Sequence, residues 1–194
     1  EQMTQAYEFG VKDLWILNVG DLKFNEFPLA YFMELAYDFE KWGSQAPNAT
    51  DAYTLDLLKG FFGAALNEDD TEDAARILTK TVRLASLRRP EALTPDTYDL
   101  HNGEALGILN SVDELEAEAD SLYKAIEAGY GKVTDISAMD SENPTLAAYY
   151  SLIYFPAKAM VNHIRLNIYA GYNHMYAREN RKMANAFADK FKKV

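Results

Sequence analysis

Asn18, Asp21, Lys23 and Glu26 gather at the end of an apolar run, Leu14-Trp15-Ile16-Leu17, that Val19 continues past the Asn. Bulky apolar residues in unbroken succession, without alternation, are the pattern of a strand covered on both faces in a parallel sheet. Polar residues just beyond such a strand lie on the carboxyl-terminal rim, where barrels and open α/β sheets build their sites. These four are therefore candidate binding residues. A purely structural use is open for two of them: Asn18 and Asp21 can tie down the turn around Gly20, because short amides and carboxylates bond readily to nearby backbone. An amide inside an apolar strand tips the balance towards function, since burying it unpartnered costs a few kcal/mol.

Two further polar groups stand out. Arg88-Arg89-Pro90-Glu91 closes a predicted helix, where an Arg fork binds a carboxylate or merely satisfies the last helix carbonyls. Asn162, Tyr169, Asn173, Tyr176 and Arg178 fall near one another at helical offsets and read as a polar seam between helices or domains. His101, His163 and His174 have neither metal-ligand spacing nor an acid at the four-residue offset of zinc helices, so no metal and no cofactor is expected. There is no Gly-rich phosphate loop and no Gly-x-Ser-x-Gly elbow. Asp69, Asp70, Glu72, Asp73 and the acidic run from Asp113 to Asp120 fall at helix starts or on solvated faces.

The elements that position these residues are mostly helices. Residues 2–9 read as a helix end stopped by Gly10, and the strand from Asp13 follows, making an αβ half-unit. A parallel strand needs neighbours, and no other stretch of the chain supplies a second run of the same kind. After Pro28 the apolar period becomes helical, with Leu29, Phe32, Met33, Ala36 and Phe39 as a stripe ending near Trp42-Gly43. Leu55, Leu58, Phe62 and Ala65 carry a second helix, and Ala74, Leu78, Thr81, Val82 and Ala85 a third, with Asn67 to Asp70 as the turn between them. Pro90 and Pro95 interrupt, and Thr94 to Gly103 reads as loop. Ser111 with Glu114 forms a capping box ahead of Leu115, Ala119, Leu122 and Ile126. Gly129 to Ser141 is loop, and Asn143-Pro144 caps a final helical segment, Thr145 to Lys193, kinked at Pro156 and weakened at Gly171. The expected fold is mainly α: a bundle of about five to six helices preceded by one αβ unit, with no internal repeat.

Composition narrows the function classes. With 30 acidic against 19 basic residues the net charge is -11, which argues against nucleic acid as partner. The basic cluster Arg178, Arg181, Lys182, Lys190, Lys192 and Lys193 suits helix carboxyl ends. No apolar run is long enough for a membrane span, so no membrane partner is expected. The chain has no cysteine and begins at Glu1 rather than Met, so neither thiol usage nor a missing signal pattern fixes the compartment.

Tyr7-Glu8-Phe9-Gly10, the block from Asp13 to Lys23, and Glu26-Phe27-Pro28 resemble the signature of glycoside hydrolase family 115, the xylan α-glucuronidases. Later pieces come in the family's order: Arg88-Arg89-Pro90-Glu91, the Pro95 to Leu100 loop, Tyr154 to Ala159 with Asn162, and Ala170-Gly171-Tyr172-Asn173 before Tyr176-Ala177-Arg178. The resemblance implies a fragment of a multidomain enzyme, with residues 1–25 closing a (β/α)8-like catalytic barrel and residues 26–194 forming a helical bundle domain. It implies an inverting hydrolase that releases glucuronic acid or its 4-O-methyl ether from glucuronoxylan, with acid and base upstream of Glu1. Asn18, Asp21, Lys23, Glu26 and Arg88 would then be substrate-binding residues. Implied partners are glucuronoxylan or its oligosaccharides and the remaining domains of the same enzyme; the implied location is secreted or periplasmic. Relatives carry Tyr-Asn before the Arg pair where this chain has Ala85-Ser86-Leu87, which puts a sugar contact from that helix in doubt. The alternative is a non-catalytic helical binding or interaction module.

Burying Leu14 to Leu17 and Val19 is worth roughly 8–15 kcal/mol, about the whole net stability of a domain. The run therefore requires a cover: the bundle's own helices, a second copy in a homodimer, or the rest of a barrel.

Overall fold

The computed structural model describes residues 2–23, 25–43, 49–129 and 143–194. The chain divides into two compact units, Glu1–Arg76 and Ile77–Val194, with the division inside one helix. Helices dominate, and no strand occurs among the described residues.

The first unit contains α1 (Gln2–Glu8), α2 (Glu26–Tyr37), α3 (Phe39–Trp42), α4 (Ala49–Phe62) and the first half of α5 (Glu68–Leu87). Helix α1 stops as the sequence predicts. Gly10 has a φ of +96°, its amide donates to Tyr7 O, and the next amide, of Val11, reaches back to Ala6 O. This paired closure needs a residue at ease in left-handed backbone. The single helix expected through Trp42 is split at Asp38, whose carboxylate accepts from the Lys41 amide at 3.1 Å and so caps a new helix, α3.

The buried face of α2 also differs from the predicted stripe. Leu35 is buried, and Phe27 and Tyr31 pack with it, whereas Met33 and Ala36 are exposed. The reason is the aromatic partner surface: Leu35, Trp42 and Tyr53 form a small core joined by Met3, Trp15, Phe39 and Leu57. Ring pairs fix it, with Trp42 edge-on to Tyr53 at 4.9 Å and Tyr31 on Tyr53 at 4.8 Å.

The second unit contains the rest of α5, a short 3₁₀ turn (Pro90–Ala92), α6 (Glu104–Gly129), α7 (Pro144–Tyr149), α8 (Phe155–Arg178) and α9 (Met183–Lys193). Helix α5 starts one residue after Asn67, whose side chain accepts from the Asp70 amide, so the expected turn Asn67 to Asp70 is instead a cap and first helical turn. Helix α6 begins before the predicted capping box. Its start is built by Asn102, which accepts from the Glu104 amide, and by Glu104, which accepts from the Asp99 amide. Ser111 lies inside the helix and donates to Gly107 O, so the local Ser-x-x-Glu pattern was outcompeted by continued helix. The expected stripe Leu115, Ala119, Leu122 and Ile126 is buried.

Asn143 caps α7 by accepting from the Leu146 amide, as predicted. The expected loop from Gly129 to Ser141 lies outside the described residues beyond Gly129. Pro156 produces a π-helical turn, Tyr150–Tyr154, rather than a simple kink: the proline cannot donate to Leu152, and the Phe155 amide bonds back to Tyr150 O, one residue further than in an α-helix. Gly171 is not a weak point. It is buried in a continuous α8, and the Pro95 carbonyl comes so near that an added Cβ would lie 2.4 Å from its oxygen. The helical segment breaks instead after Arg178, where Asn180 takes a φ of +53° and the Arg181 amide reaches back to Tyr176 O.

Two stability changes follow. Gly171→Ala should destabilise the second unit by roughly 1–3 kcal/mol in urea unfolding, because a backbone oxygen has to move, whereas Gly107→Ala, with open space around it, should be neutral or stabilising. Tyr53 is buried, and among the described residues its hydroxyl has no hydrogen-bond partner; burial first and the Glu34 charge second push its pKa up to about 12. Tyr53→Phe should therefore leave the melting temperature unchanged or raise it, since it removes a desolvated hydroxyl and keeps the ring.

Candidate functional site

The run from Leu14 to Val19 carries no regular structure, and its side chains divide. Trp15 turns inward. Its ring lies edge-on to Tyr7 at 6.3 Å and to Phe39 at 6.4 Å, and its Nε1 donates to Val11 O at 2.7 Å. Leu14 and Ile16 are 71% and 78% exposed, and Leu17, Val19 and Leu22 are exposed with them. An isolated strand has no ladder to satisfy its backbone, so a segment with strand composition stays irregular.

Four candidate residues sit on this exposed segment and the start of α2. Asn18 and Asp21 are exposed, and neither side chain makes a hydrogen bond among the described residues. The turn beyond Gly20 is tied instead by Asn25, whose side-chain amide donates to Asp21 O at 2.8 Å while its backbone amide donates to Leu22 O. The purely structural use considered for Asn18 and Asp21 is thus performed by another residue. Lys23 and Glu26 are 3.6 Å apart, a solvent-exposed pair worth little to stability. The structure brings together Lys23 and Glu26, and leaves Asn18 and Asp21 as uncommitted polar groups between exposed apolar side chains.

Arg88 belongs to the second unit. One guanidinium nitrogen donates to Leu87 O at 3.0 Å and another lies 3.4 Å from Glu104 Oε1. It acts as a helix-end cation and ties α5 to the start of α6, the structural use foreseen for the Arg pair. In the seam on α8, Asn173 donates to Ala184 O at 2.7 Å, and Tyr169, Tyr172 and Tyr176 all pack on Phe187 of α9. His163 shares a hydrogen bond of 2.7 Å with Pro90 O.

The most organised charges lie where the sequence suggested solvated surface. Asp113, Glu116 and Asp120 share one face of α6 at i, i+3 and i+7, and Lys158 and Arg165 share one face of α8 at i and i+7. Arg165, only 13% exposed, reaches Asp113 and Glu116 at 2.5 Å each. Lys158 bonds Glu116 and also approaches Asp120 at 3.3 Å, and Tyr154 donates to Asp120 at 2.8 Å. Matching charge periods on two helices were the available signal, but pairing them requires knowing that α6 and α8 are neighbours.

Burial pushes the Glu116 carboxyl up, but hydrogen bonds from Lys158 and Arg165, with their charges, outweigh it and hold the group below its usual value. Burial raises the Tyr154 phenol first, with the hydrogen bond to Asp120 next, to about 12. Arg165 is held above its ordinary value because the bonds to Asp113 and Glu116 overcome its desolvation.

A carboxylate with a depressed folded-state pKa stabilises above its unfolded value, and that stability is lost as pH falls through the folded pKa. Acid unfolding of the second unit should begin below about pH 4.3, where the unfolded-state Glu takes up its proton. Glu116→Gln should cost roughly 1–3 kcal/mol at neutral pH and flatten that acid limb, measured by urea titrations between neutral and acid pH.

Residues 1–92 match a protein-family model, Glycosyl hydrolase family 115. The match takes in all five candidate residues, Asn18, Asp21, Lys23, Glu26 and Arg88, and ends at the 3₁₀ turn after Arg89. The later resembling blocks, from Pro95 onwards, lie beyond it. No curated protein matches the chain.

Proposed function

We propose that this chain is a fragment of a glycosyl hydrolase family 115 enzyme, whose family model matches residues 1–92, and that it contributes substrate-contacting residues and a supporting helical bundle to an inverting α-glucuronidase. The substrate is glucuronoxylan or its oligosaccharides, from which the enzyme releases glucuronic acid or its 4-O-methyl ether. The observation that carries this reading is the segment from Leu14 to Leu22, which lies within the family match and keeps its apolar side chains in water. Such a surface is stable once another part of the same enzyme covers it. Residues 1–25 then complete the rim of a (β/α)8-like catalytic barrel, and Asn18 and Asp21 meet the uronic acid's hydroxyls there. Lys23 and Glu26 stand at the edge of the same rim.

An inverting reaction requires an acid and a base about 6.5–9.5 Å apart on opposite sides of the scissile bond. Asp21 has no ion-pair partner among the described residues and is read as a binding carboxylate; the acid–base pair, as the family resemblance implies, is assigned to residues upstream of Glu1. The polymer is extracellular, which makes a secreted or periplasmic enzyme the natural setting. An autonomous binding module is disfavoured because it would hide Leu14 and Ile16 within itself, and both are largely exposed.

Three measurements test the reading. The 194-residue chain should release no uronic acid from glucuronoxylan while the intact enzyme does; turnover by the chain alone would overturn the placement of the acid and base. In the intact enzyme, Asn18→Ala or Asp21→Asn should lower kcat/KM by about 10–100-fold, the scale of one or two lost substrate hydrogen bonds. The isolated chain should self-associate in light scattering and become monomeric when Leu14 and Ile16 are both changed to Ser; a monodisperse unaltered chain would count against the covered-surface argument.

A further inference from the structure

We infer that the second unit holds an accessory binding site for a carboxylate-bearing sugar, in the hollow between α6, α8 and α9 where Lys190 and Lys193 face Asn162 and Tyr169. The hollow measures about 450 Å³, within the range of small-molecule sites. Its four side-chain cations outnumber its two side-chain carboxylates, and the last residue, Val194, also lines it. Asp113 and Glu116 are both held by Arg165, and Glu116 is held by Lys158 as well, so these charges neutralise one another within the wall. Lys190 and Lys193 have no carboxylate partner among the described residues, although the chain as a whole carries a charge of -11. A helix-end role accounts for basic residues in the last turn of α9, but not for why these two line a hollow.

The remaining lining suits a sugar rather than a bare anion. Lys190 Nζ lies 5.6 Å from the Tyr169 ring centroid and 5.1 Å from that of Phe187, so its ammonium is held over an aromatic surface. Asn162 and the Tyr169 hydroxyl offer directional partners for ring hydroxyls, and the Arg165 network makes the wall rigid. One carboxylate on the two lysines with hydroxyls on Asn162 and Tyr169 is the chemistry of a uronic acid. That identification of the sugar rests on the reading of the enzyme as acting on an acidic xylan. The site itself lies wholly within the second unit and outside the family match.

The test is NMR titration of the isotope-labelled 194-residue chain with D-glucuronate, D-glucose and inorganic phosphate. Glucuronate should shift resonances of residues around Asn162, Tyr169 and Lys190, with glucose giving no saturable shift and phosphate binding more weakly. Lys190→Gln with Lys193→Gln should weaken glucuronate at least tenfold, while Lys192→Gln, from the same helical turn but outside the hollow, should not. Equal binding of glucose, tighter binding of phosphate, shifts elsewhere, or an unaffected double variant would each overturn the proposal. These outcomes are independent of whether the intact enzyme hydrolyses glucuronoxylan, so failure of one reading is distinguishable from failure of the other.

Discussion

The second unit depends on one stripe along α7 and α8: Tyr149, Ile153, Ala157, Val161, Ile164 and Ile168, all essentially inaccessible to solvent. The spacing is unusual, because its first three steps are of four residues. In an uninterrupted α-helix each such step drifts by about 40°, and three in a row would carry the stripe well off the shared face. The π-helical turn at Tyr150–Tyr154 removes that conflict, since its wider turn rotates each residue by less. Pro156 enforces the adjustment by denying Leu152 its usual donor. A residue that reads as a helix breaker thus keeps the apolar residues before and after it in phase, and Tyr149 can donate to Ala119 O within the core.

With the stripe in register, the flanking face of α8 is fixed too. Lys158 and Arg165 are seven residues apart, and Asp113, Glu116 and Asp120 answer them from α6. Partly buried charges are costly when unpaired, so this arrangement selects one register between the two helices more strongly than apolar packing alone. Gly171 makes the corresponding choice at the far end, where only a residue without Cβ admits the Pro95 carbonyl. Phase, charge register and close approach act on the same helix, and each constrains what the other two allow.

How much of this was legible in the sequence varied with the range of the interaction. The left-handed cap at Gly10, the Asn143 cap and the buried stripe of α6 follow from residues within a few positions of one another, and the structure agrees. Ser111 and Glu114 satisfied a local rule that continued helix overrode, because the polar loop from Asp99 to Glu104 already supplied a better start. The buried face of α2 could not be read from its own period, since Tyr53 and Trp42 chose Leu35 over Met33. Nor could the α6–α8 charge network, whose partners are 38 to 52 residues apart. Among the candidate residues, Asn18 and Asp21 were legible as polar groups at an apolar end, and only the structure reassigned the turn to Asn25.

The first unit poses the opposite problem, a segment whose composition exceeds what its surroundings bury. Trp15 alone finds a home, and it does so because Tyr7 and Phe39, stacked at 3.6 Å, leave an edge for an indole. Its neighbours Leu14 and Ile16 point the other way, as alternate residues of an extended segment do. The stretch is anchored at Trp15 alone, and Leu14, Ile16, Leu17 and Val19 stay exposed with Asn18 and Asp21 among them. The anchor fixes the backbone there without consuming the polar groups. Replacing Trp15 would release that anchor while leaving Asn18 and Asp21 themselves unchanged, so the indole's part in the first unit is to fix the backbone that carries them.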